Sequence, residues 1–140
     1  MDLHNLTGYL VHRTDVKLTN YFIKRLKPYG ITPEQWGIIS VLDIQRGTTQ
    51  KELAKAIDKN QTTVVRMIYS LEKKGIVKKL FNDEDRRSHY LFLTEKGEYL
   101  KETLLPVVKE AHNFITSGIS TKELQQLKSL LNKLYDNATE

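Results

Sequence analysis

The stretch Asp85-Arg86-Arg87-Ser88-His89-Tyr90-Leu91-Phe92-Leu93-Thr94 constrains this chain most, because it reads as the second half of a β-hairpin that closes on a helix start. Ile76 to Phe81 is short, β-branched and partly alternating; a polar turn follows at Asn82-Asp83-Glu84-Asp85, and Tyr90 to Leu93 is the returning strand. Thr94-Glu95-Lys96-Gly97 restarts helix. The hairpin comes directly after a helix, Asn60 to Lys74, in which Asn60 supplies the cap, Val64, Ile68 and Leu71 the buried stripe, and Gly75 the terminator. Two arginines therefore sit at a hairpin tip, beside a helix whose first turns carry amides and hydroxyls rather than carboxylates.

Upstream, Thr49-Gln50-Lys51-Glu52 has the form of a capping box and opens a short helix to about Ile57, with Leu53, Ala54 and Ile57 facing inward. Only Asp58-Lys59 and the cap Asn60 separate it from the next helix, and two helices joined so tightly are the signature of a helix-turn-helix. Thr32-Pro33-Glu34-Gln35 starts an earlier helix, expected to run through Ile44 and to be closed by Gly47. A long first helix from about Asn5 to Leu26 carries Leu6, Leu10, Leu18, Phe22 and Leu26 at near-multiples of four and stops before Pro28. After the hairpin an apolar stripe from Tyr99 to Ile115 predicts a long helix to about Ser117, with Pro106 expected to bend it or to fall where a carbonyl is free. Ser120-Thr121-Lys122-Glu123 caps a last helix with Leu124, Leu127, Leu131 and Leu134 in a coiled-coil-like seam. The expected fold class is mainly α with a small β-hairpin wing: a winged helix-turn-helix with N- and C-terminal dimerisation helices.

A chain of 140 residues suits one domain with a buried core. Its formal charge is +5, and all of the excess lies between Arg46 and Lys96, where twelve Lys/Arg stand against seven Asp/Glu. A basic module in a neutral frame points to a nucleic-acid surface; a merely solvated cationic face is the other reading. Cysteine is absent, which excludes disulfides, thiolate zinc sites and thiol redox sensing. No basic n-region, long apolar leader or membrane-length apolar run is present, so a soluble, unprocessed, cytoplasmic protein without membrane association is expected.

In a helix-turn-helix the start of the second helix enters the major groove. The side chains placed there are Asn60, Gln61, Thr62, Thr63 and Arg66, of which Gln can pair with adenine, Arg with guanine, and Thr can meet thymine through hydroxyl and methyl. The other reading is an ordinary solvent-facing helix start, since Asn60, Thr62 and Thr63 are good capping residues in any case. Lys51, Lys55, Lys59, Lys73, Lys78 and Lys79 suit phosphate contacts, which give affinity without sequence information. Arg86 and Arg87 are suited to the adjacent minor groove, with Asp85 close enough to orient a guanidinium. His4, His12, His89 and His112 are scattered without metal-ligand spacing, and no phosphate loop, nucleophile elbow or paired carboxylates appear; no metal, no cofactor and no enzymatic activity are expected.

These residues resemble the MarR family of transcriptional regulators. The family's wing pattern, Asp-x-Arg, five residues, then Leu-Thr, is met by Asp85, Arg87, Leu93 and Thr94, and Thr94-Glu95-Lys96-Gly97 continues it. Leu53-Ala54, Thr63-Val64, Arg66, Leu71-Glu72 and Gly75 fall where family members carry such residues; Asp58 stands where Gly is frequent, and Val65 where Thr or Ser is. The resemblance spans nearly the whole chain and implies a single domain over 1–140, with a DNA-binding lobe at 31–96 and a dimerisation frame from 1–30 and 97–140. It further implies a homodimer binding a double-stranded, pseudo-palindromic operator, and a repressor relieved by a small aromatic or phenolic anion. Tyr9, His12, Arg13 and Trp36 are the candidates for that effector's cleft, and the family's cysteine-based peroxide sensing is excluded. A winged helix used as a protein–protein adaptor is the competing class.

Overall fold

The computed structural model describes residues 2–85 and 87–139, so Arg86 lies outside the described residues. Among them the order is α1 (Thr7–Leu26), α2 (Pro33–Val41), α3 (Gln50–Ala56), α4 (Gln61–Lys73), β1 (Val77–Phe81), β2 (His89–Leu93), α5 (Glu95–Ile115) and α6 (Thr121–Ala138). The chain divides into two compact units, one reaching Val108 and one beginning at Lys109, and α5 contributes to both.

In the first unit α2, α3 and α4 each begin where a side chain satisfies a free backbone N–H, whereas α1 follows Leu6 without a side-chain cap. Thr32 and Gln35 form a reciprocal capping box at α2, with both bonds at 3.1 Å. At α3 the expected box is half made: Thr49 Oγ1 accepts from Glu52 N at 3.1 Å. Asn60 Oδ1 accepts from Thr63 N at 2.8 Å to open α4. The α3–α4 turn is closed by Asp58 at φ 55°, a left-handed conformation that aspartate tolerates better than most non-glycine residues. At the far end of α4, Gly75 (φ 75°) donates to the Glu72 carbonyl at 2.9 Å and Ile76 N to the Leu71 carbonyl at 3.0 Å, a Schellman motif that consumes the last carbonyls.

Helix α2 ends at Val41 and not at Ile44. Leu42 is extended, and Asp43 Oδ2 accepts from both Gln45 N and Arg46 N at 2.8 Å, so a carboxylate draws these amides out of the helix. Those two bonds, with smaller contributions from Lys101 and Arg46, hold the Asp43 carboxyl below its ordinary pKa. Gly47 accordingly does not terminate the helix; a Cβ there would stand 2.8 Å from Tyr90 Cβ and 2.9 Å from Phe92 Cζ. The segment instead runs along the hairpin: Thr48 exchanges two backbone bonds with Leu91, at 3.1 and 2.8 Å, and Leu93 N donates to the Asp43 carbonyl at 2.9 Å.

The hairpin pairs β1 antiparallel with β2, in register from Val77↔Leu93 to Phe81↔His89. Val77, Leu91 and Leu93 turn inward and join Ile38, Ile39, Leu53, Val64, Ile68, Leu71 and Leu104 in one core. Each such aliphatic side chain stabilises the fold by ~1.5–3 kcal/mol relative to exposure. Thr94 closes the base of the wing: its Oγ1 lies 2.5 Å from the Gly75 carbonyl and 3.2 Å from that of Ile76, and accepts from Gly97 N at 3.0 Å. Two lysines extend this joint, Lys96 Nζ donating to the Lys74 carbonyl (2.7 Å) and Lys74 Nζ to that of Gly30 (2.8 Å).

In the second unit α6 starts on a full capping box, Ser120 with Glu123, and the Ser120 backbone N–H, then its hydroxyl, hold the Glu123 carboxyl below its ordinary pKa. Helix α6 buries none of its described residues; Leu124 is half-buried and Leu127, Leu131 and Leu134 are exposed. Helix α5 continues through Pro106, which forfeits the N–H bond to the Glu102 carbonyl.

Gly97 supplies a sharp test of the wing joint. Helix propensity alone favours Ala over Gly by up to ~1 kcal/mol, but a Cβ at Gly97 would lie 2.2 Å from the Ile76 carbonyl oxygen. Gly97→Ala is therefore expected to destabilise the fold by ~2–3 kcal/mol, read as a lower urea midpoint at unchanged m-value.

Candidate nucleic-acid interface

The buried stripe of α4, Val64, Ile68 and Leu71, fixes which side chains its opposite face presents. At 100° per residue, Thr62, Val65, Arg66 and Tyr69 share that outer face, and all four are exposed, as is Gln61 at the first turn. Thr63 is half-buried, and the Asn60 side-chain oxygen, Oδ1, is engaged in the cap. The N-terminal end also carries the positive pole of the helix dipole. Sequence reasoning weighed hydrogen-bonding side chains here, took Val65 only as a departure from a frequent Thr or Ser and passed over Tyr69, although the spacing from Thr62 places both on this face.

Of the candidate phosphate lysines, Lys51, Lys55 and Lys59 are exposed on α3 and the following turn, and Lys78 on β1. Lys73 is exposed with its Nζ 4.6 Å from the Tyr69 ring centroid. Lys79 is half-buried, its Nζ 3.3 Å from Glu72 Oε1, so this cation already has a partner within the fold.

The wing tip is an ordered set of local bonds. Asn82 N donates to the Ser88 carbonyl at 3.0 Å, Asn82 Oδ1 accepts from Glu84 N at 3.0 Å, and Ser88 N donates to the Asp85 carbonyl at 3.0 Å. Asp85 Oδ1 accepts from Arg87 N at 3.0 Å and from Arg87 Nε at 3.4 Å, while the Arg87 side chain is 94% exposed. Asp85 thus orients Arg87 without covering it.

His89 opens β2 at the tip end of the hairpin, opposite Phe81. Its ring meets Phe81 edge-on at 5.7 Å, and its Nε2 is buried without a hydrogen-bond partner among the described residues. Burial, then the charge of Lys79, lowers its pKa, with Glu72 opposing.

Three of the four effector candidates come together: Tyr9, His12 and Arg13 line a groove of about 500 Å³ with Val16 and Lys17. Trp36 is not among them; it is half-buried and packs on the core. A second groove, about 590 Å³, lies among Asp15 and Thr19 of α1, Glu34 and Ser40 of α2 and Met67 of α4, and sequence reasoning did not single it out. Among the described residues no cluster of His, Cys, Asp or Glu could hold a metal ion, and no helix is long and apolar enough to cross a membrane.

A tight helical pair whose second member exposes a polar face, followed by a cationic hairpin, defines a winged helix-turn-helix protein. Residues 31–89 match the MarR family model. MepR of S. aureus, solved in a DNA complex, is 26% identical, with 94% of this chain and 98% of that chain covered at a TM-score of 0.87. The repressor CouR, solved on a 23-mer DNA duplex, is 28% identical over 95% of this chain and 94% of that chain, with a TM-score of 0.86. BpsR of Bordetella bronchiseptica, whose DNA binding is regulated by 6-hydroxynicotinic acid, shares the fold at 22% identity, 97% coverage of each chain and a TM-score of 0.88. Over residues 31–89 the chain is thus similar to the MarR family, and its winged-helix fold is shared with these solved regulators over nearly its whole length.

The environment of His89 sets a pH dependence. A histidine whose folded pKa is depressed binds fewer protons folded than unfolded, so stability falls as pH drops below the unfolded value of about 6.5. Between about pH 7.5 and 5.5 the wild-type urea midpoint should fall further than that of His89→Gln; parallel pH profiles would contradict the assignment.

Proposed function

We propose that this protein is a MarR-type transcriptional regulator, a homodimeric, ligand-responsive repressor acting in the cytoplasm on a pseudo-palindromic operator, with the lobe at 31–96 reading one half-site per protomer. The observation that carries the reading is the exposed start of α4 beside an exposed, carboxylate-oriented arginine on the wing. Gln61, Thr62, Thr63 and Arg66 read base edges in the major groove, with Asn60 holding the helix start. Arg87, with Arg86 from outside the described residues, enters the minor groove, where a narrow A·T-rich track favours guanidinium groups. Lys51, Lys55, Lys59, Lys73 and Lys78 contact phosphates, and Lys79 contributes less because Glu72 already holds it. DNA complexes of MepR and CouR support the DNA partner.

The dimer frame is drawn from 1–30 and 97–140. The exposed leucines of α6 support it, since an amphipathic helix that buries nothing in its own chain has an apolar face left to cover. The effector is a small aromatic or phenolic anion taken up where Arg13 and Lys17 supply charge and Tyr9 a ring. The 6-hydroxynicotinic acid response of BpsR supplies a parallel within the fold. Trp36, packed on the core, takes no part in that groove.

Binding of the purified protein to its promoter DNA should fall steeply with salt, since each neutralised phosphate releases counterion. Arg87→Ala should weaken it roughly tenfold while dimer and helicity are unchanged; unaltered affinity would remove the wing from the interface, and flat or absent DNA binding would favour a protein–protein adaptor. Leu127→Gln with Leu131→Gln should convert the dimer to monomer or unfolded chain in sedimentation equilibrium, and a native dimer surviving both would refute the α6 seam.

A further inference from the structure

We propose that Val65, extended one turn by Tyr69, is a specificity-determining contact that reads the 5-methyl group of a thymine in each half-site. The inference rests on the reading of α4 as the recognition helix and adds to it a side chain that can neither donate nor accept a hydrogen bond.

The packing of α4 leaves Val65 unexplained. Val64, Ile68 and Leu71 are completely buried and meet the helix's need for a core face, whereas Val65 is 45% and Tyr69 59% exposed on the other side. An exposed valine in a helix forfeits propensity relative to alanine through its restricted χ1, and leaves two methyl groups in water. Its surroundings point to one occupant. Thr62 precedes it by three residues, Arg66 follows it, and Lys73 lies against the Tyr69 ring, so the face is polar and cationic around a short apolar strip. The only carboxylate on α4, Glu72, is paired with Lys79. A face of this charge suits a polyanion rather than an apolar protein partner.

Within the major groove the apolar marker on a base edge is the thymine C5 methyl; cytosine carries only a hydrogen at that position and an amino donor on the neighbouring C4. Val65 rewards the first by removing methyl surface from water and penalises the second by leaving its donor unpaired. Gln61 and Arg66 can still pair with adenine and guanine on either side, so the helix start carries both kinds of readout.

The test uses the intact protein and an operator recovered by selection from random duplexes. Each thymine of the half-site is replaced singly by deoxyuridine, which removes the methyl and nothing else, and binding is followed by fluorescence anisotropy. One position should cost about fourfold per half-site, the worth of one buried methyl. In Val65→Ser, expected to keep wild-type helicity because the site is exposed, that penalty should vanish while base changes opposite Gln61 and Arg66 still cost affinity; Val65→Ala should fall between. Indifference of the wild type to every deoxyuridine, or an equal penalty in Val65→Ser, would overturn the proposal while leaving α4 as the recognition helix. Failure of the selection to return any preferred sequence would overturn that reading and this one with it.

Discussion

The hydroxyl of Thr94 is the point on which the DNA-binding geometry depends. It faces the Gly75 and Ile76 carbonyls at the exit from α4 and accepts the Gly97 amide at the start of α5, so three elements meet on one oxygen. The backbone adds Thr94 N to the Ile76 carbonyl at 3.0 Å. A wing is useful only if its tip stands at a fixed offset from the recognition helix, and a two-stranded hairpin has little stability of its own. Anchoring both strands at the point where α4 ends converts the hairpin from a loose ribbon into an extension of that helix. The absence of a side chain at Gly97 follows from the same requirement, because α5 must begin close enough for Thr94 to reach both sides.

The joint is reinforced from two further directions. On one, Lys96 and Lys74 carry charged hydrogen bonds to carbonyls that the helix and turn ends would otherwise leave to water. On the other, residues 43–48 add a partial third strand to β2 through the Thr48–Leu91 bridge and the Asp43 carbonyl. Lys101 Nζ on α5 donates to the Leu42 carbonyl at 2.9 Å, so the chain end of α2, the hairpin and α5 are held by polar bonds around a wholly aliphatic interior. This division suits a protein that must keep its surface cationic: stability comes from buried aliphatics, and lysines act at the margins.

The helices were legible in the sequence because their starts are written in side chains. Thr32, Thr49, Asn60 and Ser120 each cap the helix expected of them, and Gly75 ends α4. What escaped was one local competition and several non-local contacts. The end of α2 is decided by Asp43, whose bonds to Gln45 and Arg46 compete with a helix that hydrophobic spacing would have continued to Ile44. Gly47 resembles a helix terminator in isolation, and only the approach of Tyr90 and Phe92 reveals why no side chain fits there. At the candidate site, residue types were legible but their commitments were not. Lys79 reads like any other lysine until Glu72 is seen beside it, and Trp36 reads like a stacking platform until it is found against the core.

That distinction between free and committed side chains governs recognition. A group already paired within the fold must break that pairing to meet DNA, so Lys79 brings less than its charge suggests, whereas exposed Gln61, Thr62 and Arg66 need only shed water. Arg87 takes an intermediate course. Its amide and Nε are tied to one oxygen of Asp85, yet the side chain is 94% exposed, leaving the outer guanidinium nitrogens for a ligand. As an exposed ion pair it adds little to folding. Its value lies in binding, where an arginine already restricted in rotamer loses less entropy when immobilised than a free one, and each such side chain otherwise costs ~0.5–1.5 kcal/mol. An acidic residue two positions before the wing arginine, which by charge alone opposes DNA, is thereby reconciled with the DNA-binding role proposed for the tip.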